Sequence, residues 1–150
     1  MAYTHEENSI VLRGDADTTA ESSVEVIPEL QYKSIISVSL GDYHSAALTA
    51  DGKLYTWGGY QMGALGLGDP TNLPPGAPGG YQTQQQLDRA RQGYRVQVPD
   101  VNVPTEVRFD HGLKRKKDRF CFAATAAGWH TGALVIDLEP EASFKLSNVY

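Results

Sequence analysis

Apolar residues fall in strand-length runs along this chain, and several of the runs alternate with polar positions. Ser9–Arg13 (Ser-Ile-Val-Leu-Arg) is a short β-rich run ending at Gly14. An acidic, Ser/Thr-rich connector covers 15–23, and Val24-Glu25-Val26-Ile27 then alternates apolar with polar as a half-buried strand does, closing at Pro28. Ile35–Leu40 is a third run, rich in β-branched residues. Ala46-Ala47-Leu48-Thr49 and Lys53-Leu54-Tyr55-Thr56-Trp57 flank Ala50-Asp51-Gly52. Asp-Gly between two β-prone runs predicts a hairpin, because glycine takes positive φ without steric cost.

Glycines crowd in after Trp57, at 58, 59, 63, 66 and 68, and predict a tightly turned segment. Residues 69–80 are Pro/Gly-rich and loop-like, whereas Tyr81–Arg95 is Gln- and Arg-rich with a short surface helix expected around Gln84–Arg91. Pro99 and Pro104 bracket a Val-rich return. Thr105–Phe109 reads as an outer strand, and Phe120–Ala127 and Thr131–Leu138 are further apolar runs. No long amphipathic helix interrupts them. The class is all-β.

Comparing the chain with itself reveals a repeat. Gly41-Asp42-Tyr43-His44-Ser45-Ala46-Ala47-Leu48 aligns with Ala127-Gly128-Trp129-His130-Thr131-Gly132-Ala133-Leu134, and Asp51 with Asp137, at an offset of 86 residues. The offset exceeds the roughly 40–50 residues of a propeller blade, and the Pro/Gly/Gln-rich stretch 69–100 accounts for the excess as an insertion.

The first copy reads Ile36-Ser-Val-Ser-Leu-Gly41, His44, Ala47-Leu48, Asp51-Gly52, Tyr55, Trp57-Gly58, then Gly63-Ala-Leu-Gly66-Leu-Gly68-Asp69. This order resembles the repeat of the regulator-of-chromosome-condensation (RCC) family, with Ala64-Leu65 where the family commonly has Gln-Leu. The second copy keeps the His130 region but lacks the Asp-Gly and Trp-Gly halves. The wording of the insertion and of the Ala-Gly-Trp-His end looks most like the C-terminal part of fungal F-box proteins with such repeats. The resemblance implies a β-propeller of four-stranded blades, of which this chain would supply one full blade and parts of two others. Residues 1–30 would then end a preceding blade and 31–68 plus 101–112 form the repeat. The insertion occupies 69–100, a partial final repeat 113–138, and a tail 139–150. With too few blades to close a ring and no F-box, the chain reads as a piece of a longer product. Gly41, His44, Leu48, Asp51, Gly52, Trp57, Gly58, Gly66, Gly68, His130 and Leu134 are the expected repeat-structural residues.

Catalytic and metal chemistry finds little footing. His5, His44, His111, His130 and Cys121 lack the converging short spacings of a zinc site. Ser45 beside His44 is no nucleophile–base pair, since neighbouring strand residues point to opposite faces. The 63–69 glycines run into Pro70, where a phosphate cradle needs a helix N-terminus. No catalytic residue, metal or cofactor is expected. Trp57 and Trp129 read as blade-packing aromatics, and Cys121 as a buried small hydrophobe.

The insertion is the best site, because loops carry recognition on a rigid scaffold. Its Tyr81, Gln84, Arg89, Arg91, Tyr94 and Arg95 offer the aromatic and guanidinium groups enriched at interface hot spots, with Gln85 and Gln86 beside them. The alternative is an insertion without a role. Lys114-Arg115-Lys116-Lys117 is a basic patch that suits an anionic partner or nuclear import, or simply a solvated loop.

Composition narrows the classes. The formal net charge is −5, which argues against broad nucleic-acid binding. One cysteine precludes an internal disulfide and suits a reducing compartment. The N-terminal residues have no secretory pattern, and no apolar run approaches the ~18 residues of a membrane span. An intracellular protein, cytoplasmic or nuclear, is expected. The resemblance implies a non-catalytic protein-binding module, the substrate-recruiting part of an F-box (SCF) ubiquitin-ligase adaptor whose F-box meets Skp and cullin subunits. Guanine-nucleotide exchange on a small GTPase is the alternative, and a piece without independent activity is a third.

Overall fold

The Asp51-Gly52 turn closes the central hairpin of the fold, with Gly52 at φ +81°. It does so in a computed structural model of the protein, which describes residues 1–4, 10–13, 19, 21–60, 63–111, 113–114 and 116–138. Strands β4 (Ile35–Leu40), β5 (His44–Thr49), β6 (Leu54–Gly58) and β7 (Val101–Glu106) form a four-stranded antiparallel meander in chain order. Ahead of it lies a small antiparallel sheet of β1 (Ala2–Tyr3), β2 (Val11–Arg13) and β3 (Glu25–Val26); behind it lies a two-stranded hairpin of β8 (Arg119–Ala127) and β9 (His130–Asp137). One helix, α1 (Gln84–Arg91), sits in the stretch between β6 and β7, over the residues the sequence assigns to it. The protein is all-β, with the geometry of one complete blade between two incomplete ones.

The meander is buried on both faces, so its middle strands show almost no alternation of exposure. Ile35, Ala47, Tyr55 and Trp57 pack on one side against Val11, Ile27 and Leu30 of the preceding region. Ala46, Leu48, Leu54 and Val101 pack on the other side with Leu65, Leu67, Val107, Cys121 and Ala126. Truncating a wholly buried leucine in such a layer, Leu65 for example, costs about 2–5 kcal/mol. The glycine-rich segment exists to reach this core. Gly66 and Gly68 take φ +64° and +99°, which turns Leu65 and Leu67 inward. Thr56 secures the same segment from within the sheet, donating its hydroxyl to the Leu65 carbonyl at 2.7 Å.

One strand lies elsewhere than expected. The sequence places a strand at Thr105–Phe109, but β7 covers Val101–Glu106. Its pairing with β6 slips between Thr56↔Thr105 and Gly58↔Val101, and Pro104 falls within the slip. Proline has no N–H to give a ladder, so it belongs at an edge or an irregularity, and β7 is an edge strand. Beyond Glu106 the Val107 amide still donates to the Leu54 carbonyl at 2.8 Å, after which the Val107 side chain enters the core. The β-run at Val24–Ile27 shortens to Glu25–Val26, both exposed.

Candidate partner-binding surfaces

The two repeat copies meet face to face. His44, 4% exposed, shares a 2.7 Å hydrogen bond between Nε2 and the Thr131 hydroxyl. Ser39 donates to the Ala126 carbonyl at 3.0 Å and accepts from the Ala126 amide at 2.7 Å, a full backbone substitute. The Asp42 amide donates to the Gly128 carbonyl at 3.0 Å. Tyr43 and Trp129, equivalent positions of the two copies, touch edge to face with ring centroids 6.2 Å apart. Sequence reasoning picks out His44 but misses Ser39 and Thr131. The available signal for Thr131 is its alignment with Ser45, a hydroxyl conserved in kind between the two copies. It also misses Gln31, whose side chain joins Val11 and Ile27 by three hydrogen bonds of 2.7–3.2 Å.

Gly41, Gly52 and Gly58 of the first copy sit where a side chain has no room. A Cβ on Gly41 would lie 2.9 Å from the Gly128 carbonyl oxygen, and one on Gly58, at φ +111°, 2.5 Å from the Tyr43 carbonyl oxygen. One on Gly52 would overlap the Phe120 ring. Asp51 accepts from the Thr49 hydroxyl and lies 3.8 Å from the Lys53 ammonium. Gly68 lies beside the His111 ring, while Trp57 and Leu48 are in the core.

The second copy departs from these expectations. His130 is exposed and Leu134 is 59% exposed, whereas Leu48 is 3% exposed. Trp129, expected to pack between blades, is nearly half exposed at the end of the β8–β9 hairpin. The cause is one-sided cover: Cys121, Ala124, Ala126 and Val135 face the four-stranded sheet, and among the described residues nothing covers the other side. Cys121 is wholly buried; burial pushes its thiol pKa up, and the thiol donates weakly to the Ala123 carbonyl.

The insertion is a built structure. Asp69 accepts from the Thr71 amide and hydroxyl at 2.8 and 2.7 Å, bonds that hold its carboxyl below the usual aspartate range. The Tyr60 hydroxyl donates to the Gly68 carbonyl at 3.1 Å, and its pKa is raised by burial and then by Asp69 and Tyr81. Thr83 and Gln86 form a reciprocal capping box at the start of α1, which seats Leu87 in the interior. At the other end Arg91 clasps the Thr71 carbonyl with Nε at 3.3 Å and Nη2 at 2.9 Å. Gly93, at φ +88°, then turns the chain so that the Arg89 guanidinium rests over the Tyr94 ring, 5.6 Å from its centroid. Arg89, Tyr94 and Arg95 are exposed together. Gln84 is exposed and donates to Asp88 at 2.8 Å. Tyr81, expected on this surface, does not join it: it is 7% exposed and buried within the insertion.

The basic stretch is less concentrated than its sequence. Lys117 is paired with Asp137 at 2.8 Å, and Arg119 with the same carboxylate at 2.6 Å; hydrogen bonds from the two hold Asp137 below the usual range. Lys114 and Lys116 are exposed, and Arg115 lies outside the described residues. A cleft of about 520 Å³ adjoins them, but its Arg108 is already engaged by Asp110 at 2.8 Å. Among the described residues no three His, Cys, Asp or Glu side chains converge as a metal site, and no helix is long and apolar enough to cross a membrane.

Residues 35–63, spanning β4 to the glycine-rich segment, match the family model for the regulator of chromosome condensation (RCC1) repeat. The chain carries an RCC1 repeat. Across 128 residues, 84% of this RCC1-repeat chain, it is 30% identical to SCF-associated factor 1 of Saccharomyces cerevisiae, covering 17% of that protein. It is also 40% identical over 60 residues to Protein RCC1 of Candida albicans, which is 37% of this chain and 13% of that one. The chain thus spans under a fifth of the length of either relative. The crystal structure of Prp20p from Saccharomyces cerevisiae aligns with a TM-score of 0.48 at 19% identity, over 79% of this chain and 19% of that one.

Proposed function

We propose that this RCC1-repeat chain is a non-catalytic protein-binding module, the substrate-recruiting part of an SCF-type ubiquitin-ligase adaptor. The observation that carries the reading is the insertion: an ordered platform, braced internally by buried Leu87 and the Arg91–Thr71 clasp, that presents Arg89, Tyr94 and Arg95 to solvent. Arginine and tyrosine are the residues that dominate protein interfaces when held rigidly. The similarity to SCF-associated factor 1, which runs through the insertion as well as the repeat, supports the ligase context. In this reading 31–68 with 101–112 forms one blade, 1–30 ends the blade before it and 113–138 opens the one after. Affinity purification of the full-length protein tests it: co-purification of Skp-type and cullin subunits is expected, and their absence overturns the ligase assignment.

A second reading, nucleotide exchange on a small GTPase, is favoured by the 40% identity to Protein RCC1. That identity covers a stretch the size of a single repeat, so it speaks for the blade more than for exchange. Accelerated nucleotide release across a GTPase panel supports it, and a flat response removes it.

A further inference from the structure

The charges of the insertion are distributed unlike those of the rest of the chain. Six arginines are described. Arg13, Arg108 and Arg119 each pair with a carboxylate, Glu25, Asp110 and Asp137 respectively. The remaining three, Arg89, Arg91 and Arg95, all lie within seven residues of one another, and none has a carboxylate within ion-pair distance among the described residues. This clustering occurs in a chain with 18 acidic against 13 basic residues. Asp88, the carboxylate within α1, accepts from Gln84 and forms no ion pair with these arginines.

The three guanidinium groups have separate tasks. Arg91 reaches across the surface to the Thr71 carbonyl and fixes α1 on the turn at 70–72. Arg89 is parked on Tyr94, which limits its rotamers while leaving its N–H edge in water. Arg95 follows directly on the exposed return. Arg89 is thus preorganised on the Tyr94 ring, with Arg95 next along the chain, on a surface with few apolar groups. Such a surface gains little from an apolar partner and much from oxygen anions, which guanidinium groups grip with paired, charge-assisted hydrogen bonds.

We propose that Arg89, Tyr94 and Arg95 form the docking site for an extended, carboxylate-rich segment of a protein partner. The proposal rests on the recruiting role of the insertion and names the chemistry of what it recruits. A short acidic segment meets the cationic patch alone. A long phosphate polymer would also meet the field of a chain with net charge −5, which disfavours nucleic acid.

The test is fluorescence anisotropy of a labelled Asp/Glu-rich peptide on the full chain, beside a neutral Gln/Asn peptide, a phosphoserine peptide and a single-stranded oligonucleotide. The acidic peptide is expected to bind, to weaken as salt screens the pairs, and to lose about tenfold or more with R89Q/R95Q. The variant K116Q is expected to bind as the parent does. Equal binding of the neutral peptide, a preference for the phosphopeptide or oligonucleotide, or unchanged affinity in R89Q/R95Q overturns the proposal. A photoreactive residue at Gln85 separates this from the broader reading. If it cross-links the same purified partner to the parent and to R89Q/R95Q alike, the insertion still recruits and only the acidic assignment falls. If it cross-links no partner and no peptide binds, both fall.

Discussion

His44 and Thr131 stand 87 positions apart in sequence and share a 2.7 Å hydrogen bond that ties the first strand pair of one repeat copy to the second strand of the next. Ser39 and Ala126 are also 87 positions apart, whereas the Asp42–Gly128 and Tyr43–Trp129 contacts keep the 86-residue spacing of the repeat. His44 thus meets a hydroxyl, while the equivalent histidine, His130, is turned to solvent.

Removing either partner leaves the other short of a bond at a buried site. His44→Ala and Thr131→Val are each expected to lower stability by about 1–3 kcal/mol in urea unfolding. The double variant should lose less than the sum, with a coupling of at least ~0.5 kcal/mol. Strict additivity would mean that the bond does not contribute in solution.

Gly58 and Gly63 both hold positive φ, at +111° and +76°, but in different surroundings. A Cβ at Gly58 runs into backbone, 2.5 Å from the Tyr43 oxygen and 2.7 Å from the His44 Cα, whereas one at Gly63 meets nothing within 4 Å. Gly63→Ala thus carries only the conformational penalty, about 1 kcal/mol, and Gly58→Ala must also part β5 from β6. Thermal unfolding should rank Gly58→Ala well below Gly63→Ala; equal midpoints would contradict the packing.

The cap of α1 offers a more local test. Thr83 accepts from the Gln86 amide at 3.2 Å, and the Gln86 side chain reaches back to the Thr83 and Gln82 amides at 3.3 and 3.0 Å. Thr83→Ala should cost the helix about 0.5–2 kcal/mol. Hydrogen exchange should quicken across Gln84–Arg91 while the β5–β6 ladder keeps its protection. Uniform acceleration would mean that helix and blade unfold as one unit.

Much of the blade was legible because its signals are local. Asp51-Gly52 demands a turn whatever surrounds it, and the Gln- and Arg-rich run at Gln84–Arg91 suits a short surface helix. What escaped is what depends on neighbours. The edge strand β7 begins at Val101 because Pro104 can sit only in its irregular pairing with β6, a partner more than 40 residues away in the sequence. Leu134 repeats Leu48 letter for letter, yet only Leu48 has a neighbouring layer over it. Tyr81 looked like a surface aromatic among glutamines, and the fold of the insertion turned it inward. Of the six residues expected on the recognition surface the fold withdraws only Tyr81; Gln84, Arg89, Arg91, Tyr94 and Arg95 are exposed, with Gln84 engaged by Asp88 and Arg91 by Thr71.

Acid should loosen the last hairpin first among its ion pairs. Asp137 receives Lys117 at 2.8 Å and Arg119 at 2.6 Å, and these bonds hold its carboxyl below the usual value of 3.8. Its folded form binds a proton less readily than the unfolded chain does. The stabilisation is therefore complete above 3.8 and is lost as pH falls through the lower folded value. Asp69 and Asp110, held down by Thr71 and Arg108, change in the same direction. Asp69 and Asp137 are exposed, so their effects are small and weaken with salt. Asp137→Asn removes the charge that both cations share. The difference in urea midpoint between parent and variant should hold steady near neutrality, shrink on acidification below the usual aspartate value, and narrow in high salt. A difference that persists unchanged into strong acid would show that Asp137 acts through packing or neutral hydrogen bonding instead of charge.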